Sequence, residues 1–340
     1  MKAIVGIAVC LAALRPVACF AADTVPQTRA YEGMSCVSAA VALTEDTFIA
    51  ASGRDNTLRI YRTTDSPAPV ACLDVSDFLG LHGEPADIRG AAKIADRIYW
   101  ITSHSRDEDG RIRPGRYRFF ATTIRRGNGK FTIEPVDKPC AALLDKLPNL
   151  NTISTLRLDK AMRLHEELSE KQRRKLAPTN EGLNIEALGT DPRIDTLFIG
   201  FRNPRPVRVT TGRPHALVVP LNNASEVVEK GKEPIFGEAI LWDFDGLGIT
   251  SIEYSPIHEM YFIVAQPHDD AGPCVLYRWS GMKANPPEQV CRLSFTDKEA
   301  ADVTLVPFES SRKLLLLTGR SDGIDAVPQE KHFQGVWIQP

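Results

Sequence analysis

Long apolar runs are scarce in this 340-residue chain. Beyond the first 21 residues no stretch approaches ~18 uninterrupted apolar positions, so no transmembrane helix is expected. A basic surplus is also missing, since the formal net charge is −2. The one basic cluster, Lys171-Gln172-Arg173-Arg174-Lys175, lies beside Glu166, Glu167 and Glu170. At helical spacing those are ion-pair partners on a solvated face, and nucleic-acid binding is not expected. There are seven cysteines, none in the C-x-x-C or Cys/His spacing that would announce zinc. A P-loop and a Rossmann fingerprint are both missing, which leaves nucleotide cofactors unsupported.

The first 21 residues stand apart from the rest. Lys2 precedes the apolar run AIVGIAVCLAAL, and Cys19-Phe20-Ala21 ends in a small-x-small pattern. This reads as a secretory signal peptide cleaved near Ala21, with lipid attachment at Cys19 as the alternative. The mature chain, 22–340, is then expected to be secreted or periplasmic. Without Lys2 and Arg15 it has 39 basic and 43 acidic side chains. Cys36, Cys72, Cys140, Cys274 and Cys291 survive processing, and export permits disulfides. Cys274–Cys291 and Cys36–Cys72 are the candidate bridges, with five buried thiols as the alternative.

What the chain does contain is a recurrence. An acid at the head of a short apolar strand appears at Glu32, Asp87, Glu186, Glu253 and Asp302. About four short strands follow each one, rich in β-branched and aromatic residues and punctuated by Gly, Pro, Asn and Asp. A unit of this size cannot bury both faces alone, but units packed radially can. The expected fold is all-β, a five-bladed β-propeller of four-stranded antiparallel meanders in one domain, with six blades as the alternative. The fifth unit has only three strands, and Thr24–Tyr31 is expected to supply its fourth. Between the second and third units, Pro139 to Ala177 changes to helical periodicity at Leu143, Leu144, Leu147, Met162, Leu164 and Leu168 and reads as a helical insertion. The strand tyrosines and tryptophans read as packing between blades.

The runs DIRGAAKIADRIYWITSHSRDEDGRIRPGRYRFFAT, GLNIEAL…LFIGFRNP, GITSIEYSP and VLYRWSG resemble the bacterial domain-of-unknown-function family 3616 over nearly the whole mature chain. A more distant resemblance is to the esterase-like domain of certain secreted phytases, marked by an Asn/Gly-x-x-Glu-Gly-Leu-Ala run. Its counterpart here is Asn184-Ile185-Glu186-Ala187-Leu188. Ala187 stands where the usual glycine would be, and Arg89 where the second unit usually has an acid. The resemblance implies a propeller-like fold and export.

In an up-and-down meander the start of the first strand and the end of the second lie at one end of the blade. The five acids should therefore converge on the axis, ringed by loops that carry Arg106, Arg202 and Asn203. Converging carboxylates must raise their pKa values, pair with arginine or hold a hard cation. Glu32, Asp87, Glu186, Glu253 and Asp302 are accordingly the candidate metal ligands, with calcium as the candidate cofactor. Arg89, Arg106, Arg202, Asn203 and Asn184 are the candidate anion-binding residues, because planar forks suit phosphate or carboxylate. Glu186, His104 and Arg202 are the candidate catalytic residues of a phosphoester hydrolase. The alternative is a non-enzymatic propeller that binds a ligand or an envelope protein. A monomer is expected. Gly319-Arg320-Ser321-Asp322-Gly323 matches G-x-S-x-G, but Pro328 and a strand follow where a nucleophile elbow needs a helix.

Overall fold

In the computed structural model the described residues are 28–149, 156, 158–191, 193–269, 272, 274–293, 300–320 and 331–340. The leader and the Ser321 motif lie outside them. The N-terminal strand β1 (Thr28–Glu32) is followed by a first meander of β2 (Ala39–Ala42), β3 (Thr47–Ala51), β4 (Thr57–Arg62) and β5 (Ala71–Asp74). The second blade is β6 (Ile88–Ile94), β7 (Arg97–Thr102), β8 (Phe119–Gly127) and β9 (Lys130–Cys140). The third is β10 (Asn184–Asp191), β11 (Thr196–Asn203), β12 (Ala216–Leu221) and β13 (Ile240–Trp242). The fourth is β14 (Gly248–Ser255), β15 (Met260–Gln266), β16 (Cys274–Trp279) and β17 (Glu288–Leu293). The fifth has β18 (Ala300–Pro307), β19 (Leu314–Arg320) and β20 (His332–Ile338), and β1 pairs antiparallel with β20 to complete it.

Five four-stranded antiparallel sheets result. Their first strands pack in sequence, β2 on β6, β6 on β10, β10 on β14, β14 on β18, and β18 back on β2. The ring is therefore closed, a five-bladed propeller. Closure by the N-terminal strand covers the β20 edge, which would otherwise present unpaired N–H and C=O groups.

Apolar side chains alternate along the strands and fill the wedges between blades. Tyr31 and Phe333 of the fifth blade stack with ring centroids 5.0 Å apart, and Tyr31 meets Phe48 of the first edge-on at 5.3 Å. Phe198 of the third blade meets Tyr261 and Trp279 of the fourth at 5.6 and 5.7 Å. Such pairs each add about 0.5–1.5 kcal/mol beyond the area they bury. The strand aromatics thus hold blades together, as their sequence pattern indicates.

The segment after β9 forms a 3-10 turn (Leu143–Asn149) and short helices at Leu158–Met162 and Glu170–Arg174. Ser169 and Gln172 form a capping box at the start of the last one, satisfying backbone N–H groups that a helix start leaves unpaired. Leu143, Leu144, Leu147, Leu158 and Met162 are buried in the core cluster shared by the second and third blades. Neither expected disulfide is present. Cys36, Cys72 and Cys274 are free thiols, while Cys291 is disulfide-bonded. Cys36 is buried on Ser52, Sγ to Oγ 3.0 Å.

Candidate functional site at the axis

Four of the five first strands begin with an irregularity. The pairing register slips between Ile88 and Gly90, Ile185 and Ala187, Ile249 and Ser251, and Ala300 and Val303. A bulge of this kind re-aims a side chain that regular pleating would send into the core. Arg89, Glu186, Thr250 and Asp302 sit at these slips, and with Ser38 of the first blade they line a small axial cavity. The repeated pattern is an apolar residue, the axial residue, then a small one, as in Ile185-Glu186-Ala187 and Ile88-Arg89-Gly90.

Arg89 is the hub. Its Nε donates to Asp87 Oδ1 at 2.6 Å and its Nη1 to Asp302 Oδ1 at 2.8 Å, with Glu186 Oε1 3.9 Å away. Burial opposes its charge, but Asp87, then Asp302 and Glu186, more than offset that and hold the guanidinium pKa well above its usual value. Asp87 is buried, which disfavours its charge, yet Arg89 and Arg116 keep its carboxyl below the usual range. Arg116 Nη1 lies 3.6 Å from Asp87 Oδ2.

Glu186 has two further partners. Arg202 Nη1 donates to its Oε2 at 2.9 Å, and Asn184 Nδ2 donates to Oε1 at 2.9 Å. Burial still dominates, and the Glu186 carboxyl is pushed upward against the pull of Arg202 and Arg89. Arg202 also donates from Nε and Nη2 to the carbonyl of Pro267, at 3.1 and 2.6 Å, tying the third blade to the fourth. Glu253 lines an adjoining small cavity together with Arg89 and Glu186. It has no ion pair among the described residues, and burial pushes its carboxyl well above the usual range.

The structure therefore brings together Asp87, Arg89, Asn184, Glu186, Arg202 and Asp302, and leaves other expected residues elsewhere. Glu32 is exposed on β1, the outermost strand of its blade, because its segment closes the ring instead of opening the first blade. Ser38 holds the axial position assigned to it. Arg106 is buried off the axis, donating to the carbonyls of Gly110 and Arg163 at 3.0 and 2.8 Å. It joins its own loop to the helical insertion. Asn203 Nδ2 is used on the carbonyls of Asn180 and Gly182, at 3.0 and 2.6 Å, and so anchors the approach to β10.

His104 is 2% exposed, with Nδ1 2.9 Å from Thr102 O and its ring edge-on to Tyr117 at 5.8 Å. Burial depresses its pKa to about 4, so it is a neutral packing residue under the second-blade loop. The five acids also do not gather as a ligand set. Among the described residues no three His, Cys, Asp or Glu side chains are grouped to hold a metal. The carboxylates converge on a guanidinium instead.

Sequence reasoning missed Ser38, Thr250, Gln266 and Arg116. Aligning on the apolar–any–small pattern would have found Ser38 and Thr250. Gln266, at the end of β15, and Arg116, in the β7–β8 connection, carry no such signal.

One rim residue completes the picture. Arg54 lies in the β3–β4 turn and is exposed, and its guanidinium has no ion pair among the described residues. The turn sits directly on the hub: a Cβ at Gly53 would fall 2.7 Å from Asp87 Oδ1 and 3.1 Å from Arg89 Nε. A larger residue at that position would press on the Asp87 and Arg89 side chains.

No protein-family model matches this chain, and no curated protein matches it. Among solved structures it is similar to a chain of a mitotic checkpoint complex, with a TM-score of 0.36 and 10% identity over 88% of this chain. The match spans 61% of that chain, about three fifths of its length. It is also similar to the Myceliophteria thermophila Cps50 (Swd1) β-propeller domain, TM-score 0.36 and 10% identity, covering 91% of this chain and 99% of that one. The Kluyveromyces lactis Hsv2p structure gives a TM-score of 0.30 at 7% identity, over 82% of this chain and 64% of that one.

Proposed function

We propose that this protein is a binding propeller, exported by its leader, that takes a small anionic ligand at the mouth of its axis. One observation carries the reading. The carboxylates of Asp87, Glu186 and Asp302 are engaged by Arg89, Arg116 and Arg202, while Arg54, exposed in the β3–β4 turn next to Gly53, has no ion pair among the described residues. Buried arginines that neutralise acids fix blade spacing, and a rim guanidinium without a counter-ion suits a phosphate or carboxylate group. The test is calorimetric titration with inorganic phosphate, citrate and a glucose control, at low salt. The anions should bind, glucose should not, and Arg54→Ala should weaken anion binding at least tenfold. Equal binding by wild type and Arg54→Ala would sink the assignment.

A second reading keeps the hydrolase, because burial raises the carboxyl of Glu186 above its usual value and favours its protonated form, the direction a general acid needs. On that reading calcium assists and the substrate is a phosphoester. A panel of phosphoesters with and without calcium separates the two. Turnover abolished by Glu186→Gln supports the hydrolase, and binding without turnover supports the binding propeller.

A further inference from the structure

The small axial cavity has a volume of about 10 Å³, room for one water-sized group. It lies at the mouth end of the ring, because its polar walls are Ser38, Arg89, Glu186, Thr250 and Asp302, at or just before the starts of first strands, and Gln266 at the end of β15. Arg89 and Asp302 are only partly buried, so solvent reaches this level. The charges around the cavity are already matched, with Asp87, Glu186 and Asp302 facing Arg89, Arg116 and Arg202. Both Glu186 oxygens and Asp302 Oδ1 accept hydrogen bonds. An ion of either sign would unbalance this largely buried set, so a neutral group fits best. An apolar group would not serve. Gln266 is 5% exposed and its Oε1 is buried without a hydrogen-bond partner among the described residues, and a buried acceptor without a donor is destabilising. Ser38 Oγ and Thr250 Oγ1 donate to Ile88 O and Val264 O at 2.6 and 3.3 Å, and keep lone pairs. Arg89 donates to carboxylates from Nε and Nη1, and its Nη2 makes no hydrogen bond among the described residues. The lining therefore suits a group that gives one hydrogen bond, accepts another and is no larger than a water. A hydroxyl is such a group.

We propose that the anion taken at the mouth carries a hydroxyl group, which seats in this cavity and donates to Gln266 Oε1. The inference rests on the anion reading above and narrows it to small hydroxylated anions. The two halves of the site adjoin. The β3–β4 turn touches the cavity wall, since a Cβ at Gly53 would fall 3.1 Å from Arg89 Nε, and Arg54 is the next residue. The charges of Asp302, Arg54 and Arg89 all act on the Cys36 thiol, whose pKa rises mainly through burial, so the rim guanidinium and the axial groups share one neighbourhood. Arg54 holds the charged end of the ligand through its planar fork, and the cavity reads the hydroxyl. Discrimination comes from the buried acceptor: an analogue with hydrogen in place of the hydroxyl gives Gln266 Oε1 no donor.

The test is calorimetric titration of the whole protein with two pairs that differ in hydroxylation, malate against succinate and glycerol phosphate against propyl phosphate. In at least one pair the hydroxylated member should bind about tenfold tighter or better. Gln266→Met should bring that member down to its partner's affinity and leave the partner unchanged, while Arg54→Ala should weaken both members alike. Equal affinities within both pairs, or a preference undiminished in Gln266→Met, overturn the hydroxyl assignment and leave the anion site standing. If none of the four binds, nor phosphate or citrate, the anion reading falls and the inference with it. Should Gln266→Met fail to fold, the methyl ether of the preferred ligand decides the matter on the wild type. It cannot donate and is too large for the cavity, so it should bind no better than the partner that lacks the hydroxyl. Binding as tight as that of the hydroxylated parent overturns the proposal.

Discussion

Replacing Arg202 by methionine tests whether the axial charges hold the ring together. Its guanidinium has a side-chain exposure of 5% and Glu186 one of 8%. Arg202→Met leaves Glu186 with Asn184 and the distant Arg89, and removes both donors from the Pro267 carbonyl. Removing one partner of a buried pair costs about 3–5 kcal/mol, because the other charge stays behind uncompensated. The double variant Glu186→Leu/Arg202→Met removes that stranded charge. What remains is the Pro267 carbonyl, about 1–3 kcal/mol, so the double should be more stable than the single. Urea unfolding at constant m reads both differences.

The pH dependence supplies a further check. A carboxyl whose folded pKa lies above its unfolded value binds its proton on folding, so its contribution falls as pH rises through that interval. Losing Arg202 raises Glu186 further, so the gap between wild type and Arg202→Met should widen from pH 5.5 to pH 8. A single variant within about 1 kcal/mol of wild type, or a double less stable than the single, would refute the account.

The remaining predictions follow the same physics. Glu253 has a raised folded pKa, so it opposes folding increasingly as pH rises above about 4.5; Glu253→Gln should raise the neutral-pH unfolding midpoint and flatten its decline toward pH 8. His104 has the opposite sign. Its folded pKa of about 4 lies below the ordinary 6.5, so stability falls as pH drops between those values, by about 3 kcal/mol in total; its imidazole NMR shifts should show a neutral ring down to about pH 4. Gly90→Ala should cost several kcal/mol in urea unfolding, because the added Cβ would stand 2.7 Å from the Leu188 backbone nitrogen where β6 meets β10. In native alkylation read by mass spectrometry, exposed Cys72 should react well before Cys36, whose thiol burial pushes up to about 12.

Much of the ring can be read along the chain because blade formation is local. Strands of one meander are neighbours in sequence, their two-residue alternation is set by the pleat, and their turns are marked by Gly, Pro, Asn and Asp. The N-terminal strand was legible for a different reason: the last unit lacks a strand and an open edge must be covered. The site was harder. Aligning units on acids placed Glu32 at the axis, although charge type does not reveal where a side chain points. The β-bulge does, and it sets the axial position at Arg89, Glu186, Thr250 and Asp302, with Ser38 beside them in the first blade. Arg106 and His104 share the loop character of real rim residues, yet both turned inward to satisfy carbonyls.

The order of strands, the repeat and the polarity of one ring face were determined by the sequence alone, since each depends on residues close together in the chain. The pairing of Arg89 with Asp302, 213 positions apart, was decided only by the tertiary structure, as were the free state of Cys36 and Cys274 and the unsatisfied oxygen of Gln266. Closing a ring brings first and last blades together, and which buried charges then meet depends on bulge geometry and on angles that no local pattern encodes.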